Sequence, residues 1–509
     1  MIDVELQVIG ASLRGVAEEM GAALVRAAFS PNIKERRDCS TAVFDDDGVM
    51  VAQAEHIPVH LGAMPEAVAA VRAHAPSVGD TWILNDPYAG GTHLPDVTLV
   101  SRTELGYAVS RAHHADVGAR EPGSLPATST RLEDEGVVIP PTRLTDTVVE
   151  ELVARMRNPP ERRGDLRAQL AAHLLAERRL RELRARVGGD RVRAAMRELV
   201  AYSERRVRAA IASLPDGTWH AREALETAAG ELELRAAVTV RGDEIEIDFA
   251  DTPPQHEGNL NCPLAVTRSA SYFVVRCLTD PDAPASAGAF APVTVRAPEG
   301  SLVNARPPAA VAAGNVETSS RIVDLLFRAF GGAVPVQAQG QGTMNNVVIG
   351  NDRFTYYETI GGGQGACPDA AGPSGVHVAM SNTLNTPVEA LELAYPLRVE
   401  RYALRLGSGG AGRHRGGDGV VREVRVLEPC RLSLLTQRRR RAPQGAAGGA
   451  PGACGRNLLN GRELPPIASR GLEPGDVLAI ETPGGGGYGA PPSAGAEGPG
   501  GFEPPTHEL

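Results

Sequence analysis

The sequence predicts a mixed α/β fold of the α+β type, built as one large multi-lobed body. Residues 5–29 carry apolar side chains at helical spacing, and residues 160–212 are rich in Arg, Glu, Ala and Leu with almost no Gly. Elsewhere, short runs that alternate apolar and polar residues between Gly- and Pro-rich turns are typical of strands. A chain of 509 residues can bury a large core, since domains usually contain roughly 100 to 200 residues. We therefore expect long helices at 5–29 and 160–212 and β-rich lobes elsewhere.

The first 150 residues predict one helix followed by short strands and polar loops. The helix at 5–29 would bury one face, because its apolar side chains recur near helical spacing at Val4, Leu6, Ile9, Leu13, Val16, Met20, Leu24 and Val25. Two apolar runs then flank the turn 45–48, in which Gly48 can adopt a positive φ. From Ile57 to about Arg143, strands alternate with loops rich in Gly, Pro and His. Most of the polar chemistry is expected in this region.

The rest of the chain predicts helices and then sheets. The helical region 160–212 is expected to break at Gly188-Gly189, and alternating residues on both sides of the turn 241–243 indicate a hairpin. Residues 319–330 predict a further helix. We expect one body at 1–490, followed by a disordered Pro/Gly/Glu-rich tail at 491–509. Within this body we expect lobes at about 1–150, 151–215, 216–400 and 401–490.

Composition argues against several classes of protein. A formal charge of −10 disfavours nucleic acid as a partner, and the chain shows neither a signal peptide nor ~18 uninterrupted apolar residues. We therefore expect a cytoplasmic protein that does not enter membranes. The six cysteines form no C-x-x-C pair, which disfavours a zinc ribbon or a disulfide framework. Lys34 is the only lysine and follows no Gly-rich loop, so any nucleotide is expected on another chain.

Two segments rich in His and Asp, NDPYAGGTHLPD and AHHADVG, are the main candidates for chemistry. His93 and Asp96 lie three residues apart around a proline, so one loop can direct both side chains to one point. Either His113 or His114 could complete a facial triad, and imidazole with carboxylate suits Mn, Fe or Zn. The alternative is that these side chains only cap turns and bind backbone groups. From the residues alone, both interpretations stay open.

A second pair of histidines, His56 and His60, lies in EHIPVHLGAMPE. Pro58 between them excludes the helical i, i+4 zinc pair, because a proline would break that turn. His60 is a candidate for proton transfer beside a metal, and the plainer alternative is a histidine bonded inside a loop. Cys262 lacks an identifiable histidine partner for nucleophilic chemistry. The Gly-rich groups of the second half lack a phosphate-loop pattern and predict tight turns.

Many long motifs follow one another along the chain: KERRDCSTAVFDDDGVMVAQAEHIPVHLGAMPEAV, NDPYAGGTHLPDVTLV, AHHADVG, EGVVIPP, NPPERRGDLRAQ, GNLNCPLAVT, PPAAVAAGNVETSSRIVD, GQGTMNN, YYETIGGGQGA and NTLNTPVEALE. In this order they resemble the motifs of the hydantoinase B/oxoprolinase family. The resemblance runs from about residue 5 to residue 490, which is nearly the whole chain.

The resemblance implies the metal-containing subunit of an ATP-dependent cyclic amidohydrolase, which opens a hydantoin or 5-oxoproline-like ring. In this family a hydantoinase A-type subunit binds ATP with Mg and phosphorylates the amide oxygen, so a hetero-oligomer is implied, with a dimer of this chain as one arrangement within it. The related acetone and acetophenone carboxylases make a subunit of an ATP-dependent ketone carboxylase the first alternative. A non-catalytic assembly subunit is the second alternative, because the chain lacks a nucleotide site.

The family's motifs also imply roles for individual residues. The divalent Mn, Fe or Zn ion is expected on three ligands, with His113 in the leading position of H-x-x-D-V-G: His93, Asp96 and His113. Asp116 or His60 would move protons while water attacks the substrate carbon whose oxygen has been phosphorylated. His114 is a further catalytic candidate. Arg120 stands where family members tend to have a further glycine.

Overall fold

The computed structural model describes residues 4–54, 57–227 and 230–491. Within this part of the chain, helices pack against four β-sheets, which confirms the predicted mixed α/β class. Apart from residue 491, the predicted tail at 491–509 lies outside the described residues. None of the described helices is long and apolar enough to cross a membrane.

The first sheet carries the His- and Asp-rich segments and packs under the N-terminal helix. Helix α1 (Val4–Ala27) agrees with the predicted helix at 5–29 and buries most of the predicted apolar face, but Val4 is exposed and Val25 is only half-buried. The strands of the sheet are β1 (Cys39–Phe44), β2 (Met50–Ala54), β3 (Thr81–Leu84), β4 (Asp96–Thr103), β5 (Gly106–His113) and β6 (Thr142–Arg143). They pair antiparallel in the order β2-β1-β5-β4-β3-β6. The predicted turn at 45–48 connects β1 to β2.

Two long helices follow this sheet where the sequence predicts them. The region 160–212 forms α5 (Pro159–Val187) and α6 (Gly189–Ile211), after the shorter helices α2 (Pro31–Lys34), α3 (Met64–Arg72) and α4 (Asp146–Val153). The break falls at Gly188, whose φ of 93° lies in the region that favours glycine. Side chains of α1, α5 and α6 share one apolar cluster, so these helices cover one face of the sheet.

The second sheet packs against a buried helix pair. Strands β7 (Gly217–Thr227), β8 (Gly230–Arg241), β9 (Glu244–Asp248) and β10 (Val293–Arg296) pair in the order β10-β9-β8-β7. The predicted hairpin at 241–243 is confirmed as the β8–β9 turn. Helices α7 (Leu264–Leu278) and α8 (Ser319–Phe330) pack beside it, and a π-helical turn, Gly314–Thr318, leads directly into α8.

The remaining elements form two further antiparallel sheets and one short helix, α9 (Val388–Ala394). In chain order the strands are β11 (Asn346–Gly350), β12 (Thr355–Glu358), β13 (Leu397–Arg405), β14 (Gly419–Val426), β15 (Cys430–Leu435), β16 (Arg456–Leu459), β17 (Arg462–Leu464), β18 (Ile467–Leu472) and β19 (Val477–Glu481). One sheet has the order β12-β11-β15-β18, and the other has the order β13-β14-β19-β16-β17.

The largest apolar cluster draws side chains from all four predicted lobes. Phe44, Ile211, Phe249 and Leu435 all belong to it, and each is at most 1% exposed. The lobes at 1–150, 151–215, 216–400 and 401–490 therefore pack through a common core. Their boundaries remain a prediction.

The Gly-rich segments of the second half lie in direct backbone contact with each other. The Gly417 N–H donates to Gln364 O (2.9 Å), and the Gly485 N–H donates to Gly417 O (2.9 Å). A Cβ at Gly417 would lie 1.8 Å from Pro373 O, and one at Gly485 would lie 2.0 Å from Gln364 O. Many of these glycines are therefore required for close packing of chain on chain, whereas the sequence pattern predicted tight turns.

We predict that Gly417→Ala lowers the free energy of unfolding by about 3 kcal/mol, because the added methyl group overlaps the Pro373 carbonyl. Urea unfolding followed by circular dichroism measures this change. Gly471→Ala in β18 is the matched control, since no atom lies within 4 Å of its added Cβ. Equal effects of the two substitutions would contradict the proposed backbone contact.

Candidate functional site

The loop between β3 and β4 brings His93 next to Asp96. The Asp86 carboxylate accepts a hydrogen bond from the backbone N–H two residues further on (2.9 Å), which starts a tight turn. Gly90 follows with a φ of 96°, and a Cβ there would lie 2.3 Å from the Ala67 nitrogen. The Asp96 N–H then donates to His93 O (3.1 Å), so a second turn holds both side chains together.

Strand pairing brings the third group to the same point. Asp96 begins β4, His113 ends β5, and the two residues are direct partners in the antiparallel register. Paired residues extend to the same face of a sheet, which places the carboxylate beside the imidazole. His113 Nδ1 lies 3.1 Å from Asp96 Oδ1, and His93 Nε2 lies 3.2 Å from Asp96 Oδ1 and 3.1 Å from His113 Nδ1. All three residues are at most 2% exposed.

This donor set fits a divalent metal ion. Around an ion with bonds of about 2.1 Å, ligand atoms lie about 3.0 Å apart at octahedral angles and about 3.4 Å apart at tetrahedral angles. The three observed distances, 3.1 to 3.2 Å, fall within this range. Among the described residues, this is also the one group of three or more His, Cys, Asp or Glu side chains whose atoms converge in this way.

Electrostatics favours the protonation states that bind metals. Burial opposes ionisation of Asp96, but the imidazoles of His93, His113 and His60 outweigh burial and hold the pKa of Asp96 well below its usual range. Burial lowers the pKa of His113, an effect that the hydrogen bond with Asp96 partly offsets. The cluster therefore combines an ionised carboxylate with a neutral imidazole, as metal ligation requires.

His60 lies beside the cluster, in a one-turn 3₁₀ helix at Pro58–His60. His60 Nδ1 lies 2.9 Å from Ser40 Oγ, and Nε2 lies 3.5 Å from Asp96 Oδ2. Its imidazole thus bridges a buried hydroxyl and the carboxylate. His56, the other histidine of this motif, lies outside the described residues.

His114 faces away from the cluster, because successive residues of an extended chain point to opposite faces. Its Nε2 lies 3.0 Å from Gln169 Oε1 on α5, and burial lowers its pKa to about 4. The Gln169 amide in turn donates to Ser110 Oγ (3.2 Å), which lies 2.8 Å from His173 Nε2. His113 and His114, which the residue pattern could not distinguish, therefore occupy different environments.

Asp116 holds the loop that follows β5. Its carboxylate accepts hydrogen bonds from the Gly118 and Gly123 backbones (2.7 and 2.8 Å) and from Arg157 Nη1 (2.8 Å). These contacts join the loop to the start of α5. Arg120 is exposed in a surface cleft of about 480 Å³ that also contains Arg431.

Three residues outside the predicted set lie around the cluster. The Tyr357 ring stacks on the His113 imidazole, with ring centroids 4.8 Å apart and planes at 25°. Asn315 Nδ2 lies 3.5 Å from His93 Nε2, and Glu135 is buried with its pKa raised to about 7 by desolvation. None of the three was predicted from the sequence as a site residue. Asn315 lies in GNVETSSR, a motif that the family resemblance includes. A polar Asn within a family motif was the one sequence feature that could have indicated a site residue there.

Comparison with known proteins assigns the chain to a family. The sequence matches the profile described as hydantoinase B/oxoprolinase over residues 3–491. The chain belongs to the hydantoinase B/oxoprolinase family. It is 38% identical to 5-oxoprolinase 1 of Arabidopsis thaliana over 96% of this chain and 42% of that protein. It is 31% identical to a putative D-/L-hydantoinase subunit of a Pseudomonas strain, over 96% of this chain and 90% of that protein.

Solved structures show the same fold. An ATP-dependent caprolactamase from Pseudomonas jessenii superposes with a TM-score of 0.90 at 28% identity, over 97% of this chain and 93% of that chain. A nucleotide-free acetone carboxylase superposes with a TM-score of 0.85 at 18% identity, over 95% of this chain and 75% of that chain. At that lower identity the second likeness concerns the fold alone.

The network behind His114 predicts a pH dependence of stability. Burial lowers the pKa of His173 to about 3, below the usual value near 6.5. His173 therefore binds a proton more readily in the unfolded chain than in the folded protein. The stability that neutral His173 contributes to the folded protein is complete above pH 6.5 and is lost as the pH falls toward 3. We expect His173 to account for a loss of about 2–3 kcal/mol between pH 6.5 and pH 4.5.

Urea unfolding of the unmodified protein and of His173→Gln at both pH values measures this contribution. The variant is expected to lose less stability between the two pH values, whatever its stability at pH 6.5. His220→Gln is the control because His220 is exposed on β7. An unchanged pH dependence in His173→Gln would show that His173 does not remain neutral in the folded protein.

Proposed function

We propose that this chain is the metal-bearing subunit of an ATP-dependent enzyme that opens a cyclic amide, such as 5-oxoproline or a hydantoin. The observation that supports the proposal most directly is the buried convergence of His93, Asp96 and His113. The family membership and the names of the relatives point to the same reaction class. A divalent Mn, Fe or Zn ion held by these three side chains would polarise a carbonyl and activate water.

The chain's own residues suit the handling of a reactive intermediate. The ligand side chains are almost completely buried, so a substrate at this point would be shielded from bulk water. The His60 imidazole, placed between Ser40 Oγ and Asp96 Oδ2, can hold or pass a proton at the edge of the cluster. Asp116 and His114 were predicted to be catalytic, but their contacts with a loop and with α5 favour supporting roles.

ATP would be bound by a separate hydantoinase A-type subunit. Lys34, the only lysine, is exposed at the end of the short helix α2 and cannot serve a buried phosphate loop. The chain spans 42% of the length of the Arabidopsis 5-oxoprolinase but 90% of the Pseudomonas protein, which is named as one subunit of a hydantoinase. In this proposal, the longer Arabidopsis protein would contain in one chain what two chains supply here. The partner subunit would phosphorylate the amide oxygen of the substrate. This step would convert a resonance-stabilised amide into a group that is easier to hydrolyse.

We predict that the purified chain carries about one divalent metal ion and that His93→Ala or Asp96→Ala removes most of it. Inductively coupled plasma mass spectrometry of the dialysed protein measures the metal content. His220→Ala, which changes an exposed histidine far from the cluster in sequence, is expected to retain the metal. Protein that stays metal-free after incubation with Mn²⁺, Fe²⁺ and Zn²⁺ would rule out the proposed role.

We further predict that the chain, co-purified with a hydantoinase A-type subunit, consumes ATP and opens 5-oxoproline or hydantoin. Asp96→Ala is expected to reduce kcat by at least about a hundredfold, because the variant lacks the anionic ligand. Chromatography of glutamate or of N-carbamoyl amino acid, together with measurement of ADP, follows the reaction. ATP consumption with acetone and bicarbonate alone would instead identify a ketone carboxylase. Inactivity with all three substrates in a metal-loaded complex would favour an assembly subunit.

A further inference from the structure

The orientation of His113 is not set in the usual way. A metal-binding histidine normally donates its second ring N–H to a carboxylate, a carbonyl or water. His113 Nδ1 faces Asp96 and His93, but Nε2 is buried without a hydrogen-bond partner among the described residues. The close neighbour of the ring is Tyr357, which stacks on it at 4.8 Å and 25°. The His113 imidazole is therefore positioned by its Nδ1 contacts with Asp96 and His93 and, on its face, by the Tyr357 ring.

The Tyr357 ring is in turn held by its hydroxyl group. Tyr357 lies on β12, and its hydroxyl donates to Asn346 Oδ1 on the neighbouring strand β11 (2.9 Å). The Asn346 Nδ2 group donates both to Leu435 O and to Glu317 Oε1, each at 2.8 Å. Because both donors of this amide are used, its oxygen is directed toward the tyrosine. The fixed orientation of the Asn346 amide therefore sets the position of the Tyr357 hydroxyl group.

Glu317 is the group at the end of this sequence of contacts. It lies in the π-helical turn Gly314–Thr318, is 1% exposed, and accepts a second hydrogen bond from the Met344 N–H (3.2 Å). π-Helical turns are rare and occur often at functional sites. The same turn carries Asn315, whose amide lies 3.5 Å from His93 Nε2. The π-helical turn is thus linked to two of the three candidate ligands: to His93 directly through Asn315, and to His113 through the contacts that begin at Glu317.

We propose that Glu317 is a positioning residue for the metal centre, acting through Asn346 and the Tyr357 hydroxyl to set the plane of the His113 ring. This inference rests on the metal site of the proposed function. The alternative is that Glu317 only joins the π-helical turn to β11. The two roles differ in their consequences at the metal, because a purely structural contact would alter stability without altering ligand geometry.

Four variants of the full-length chain test this proposal, with Co²⁺ as the probe. Glu317→Leu removes the acceptor of both hydrogen bonds, whereas Glu317→Gln keeps an oxygen that can accept both. Tyr357→Phe keeps the ring and removes only its hydroxyl. Tyr356→Phe is the matched control, since Tyr356 is the neighbouring buried tyrosine on the same strand and its hydroxyl donates to Glu358, outside the His113 network.

We expect Glu317→Leu and Tyr357→Phe to weaken Co²⁺ binding about tenfold and to shift the visible absorption bands of bound Co²⁺. Glu317→Gln should stay within about twofold of the unmodified chain, and Tyr356→Phe should match it in both affinity and spectrum. Titration followed by absorption spectroscopy gives both quantities, and thermal unfolding of every variant reports stability separately.

The outcomes separate this proposal from the proposed function. If the unmodified chain binds Co²⁺ but Tyr357→Phe and Glu317→Leu bind it with the affinity and spectrum of Tyr356→Phe, Glu317 is not a positioning residue and the metal site stands. If Glu317→Leu does not fold, Tyr357→Phe still tests the proposal, because it removes only the hydroxyl group that links the ring to Asn346 and Glu317. Unchanged Co²⁺ affinity and spectrum in Tyr357→Phe would then overturn the proposal. If the unmodified chain binds no Co²⁺, the metal site itself is wrong and this inference falls with it.

Discussion

The antiparallel pairing of Asp96 with His113 is the contact on which the organisation of this protein depends. A carboxylate that is 1% exposed is costly to bury unless charged or hydrogen-bonding groups surround it. Here His93, His113 and His60 supply that compensation, and Thr92 donates a further hydrogen bond. The turn before β4, the register of β4 with β5 and the 3₁₀ turn at His60 each bring one of these groups into place.

The candidate site lies where distant parts of the chain meet. The three candidate ligands come from the first sheet and its β3–β4 loop, whereas Asn315, Asn346 and Tyr357 come from segments more than 200 residues further along. Arg36 joins the two sides, because its guanidinium donates to Tyr357 O (2.9 Å) and lies 4.6 Å from the centre of that ring. The common apolar core keeps these segments in contact, so the geometry of the site depends on the packing of the whole body.

Local patterns predicted much of the fold. The helices at 5–29 and 160–212, the break at Gly188 and the hairpin at 241–243 follow from periodicity and turn residues, which act over short distances. Interactions between segments were harder to foresee. The Gly-rich segments suggested tight turns, but glycines such as Gly417 are required because another chain segment passes within contact distance. Nothing local in the sequence indicates which segment that will be.

The sequence by itself determined which residues could form the centre and which family the chain belongs to, because a His-Leu-Pro-Asp turn and long family motifs are local features. It left His113 and His114 as equal candidates until the family resemblance favoured the first. The tertiary structure separates the two residues physically: the β4–β5 register places His113 beside Asp96, and the next residue turns toward Gln169 on α5. It alone also shows that Tyr357 stacks on His113 and is linked through Asn346 to Glu317, because contacts between residues so far apart arise only when the sheets pack.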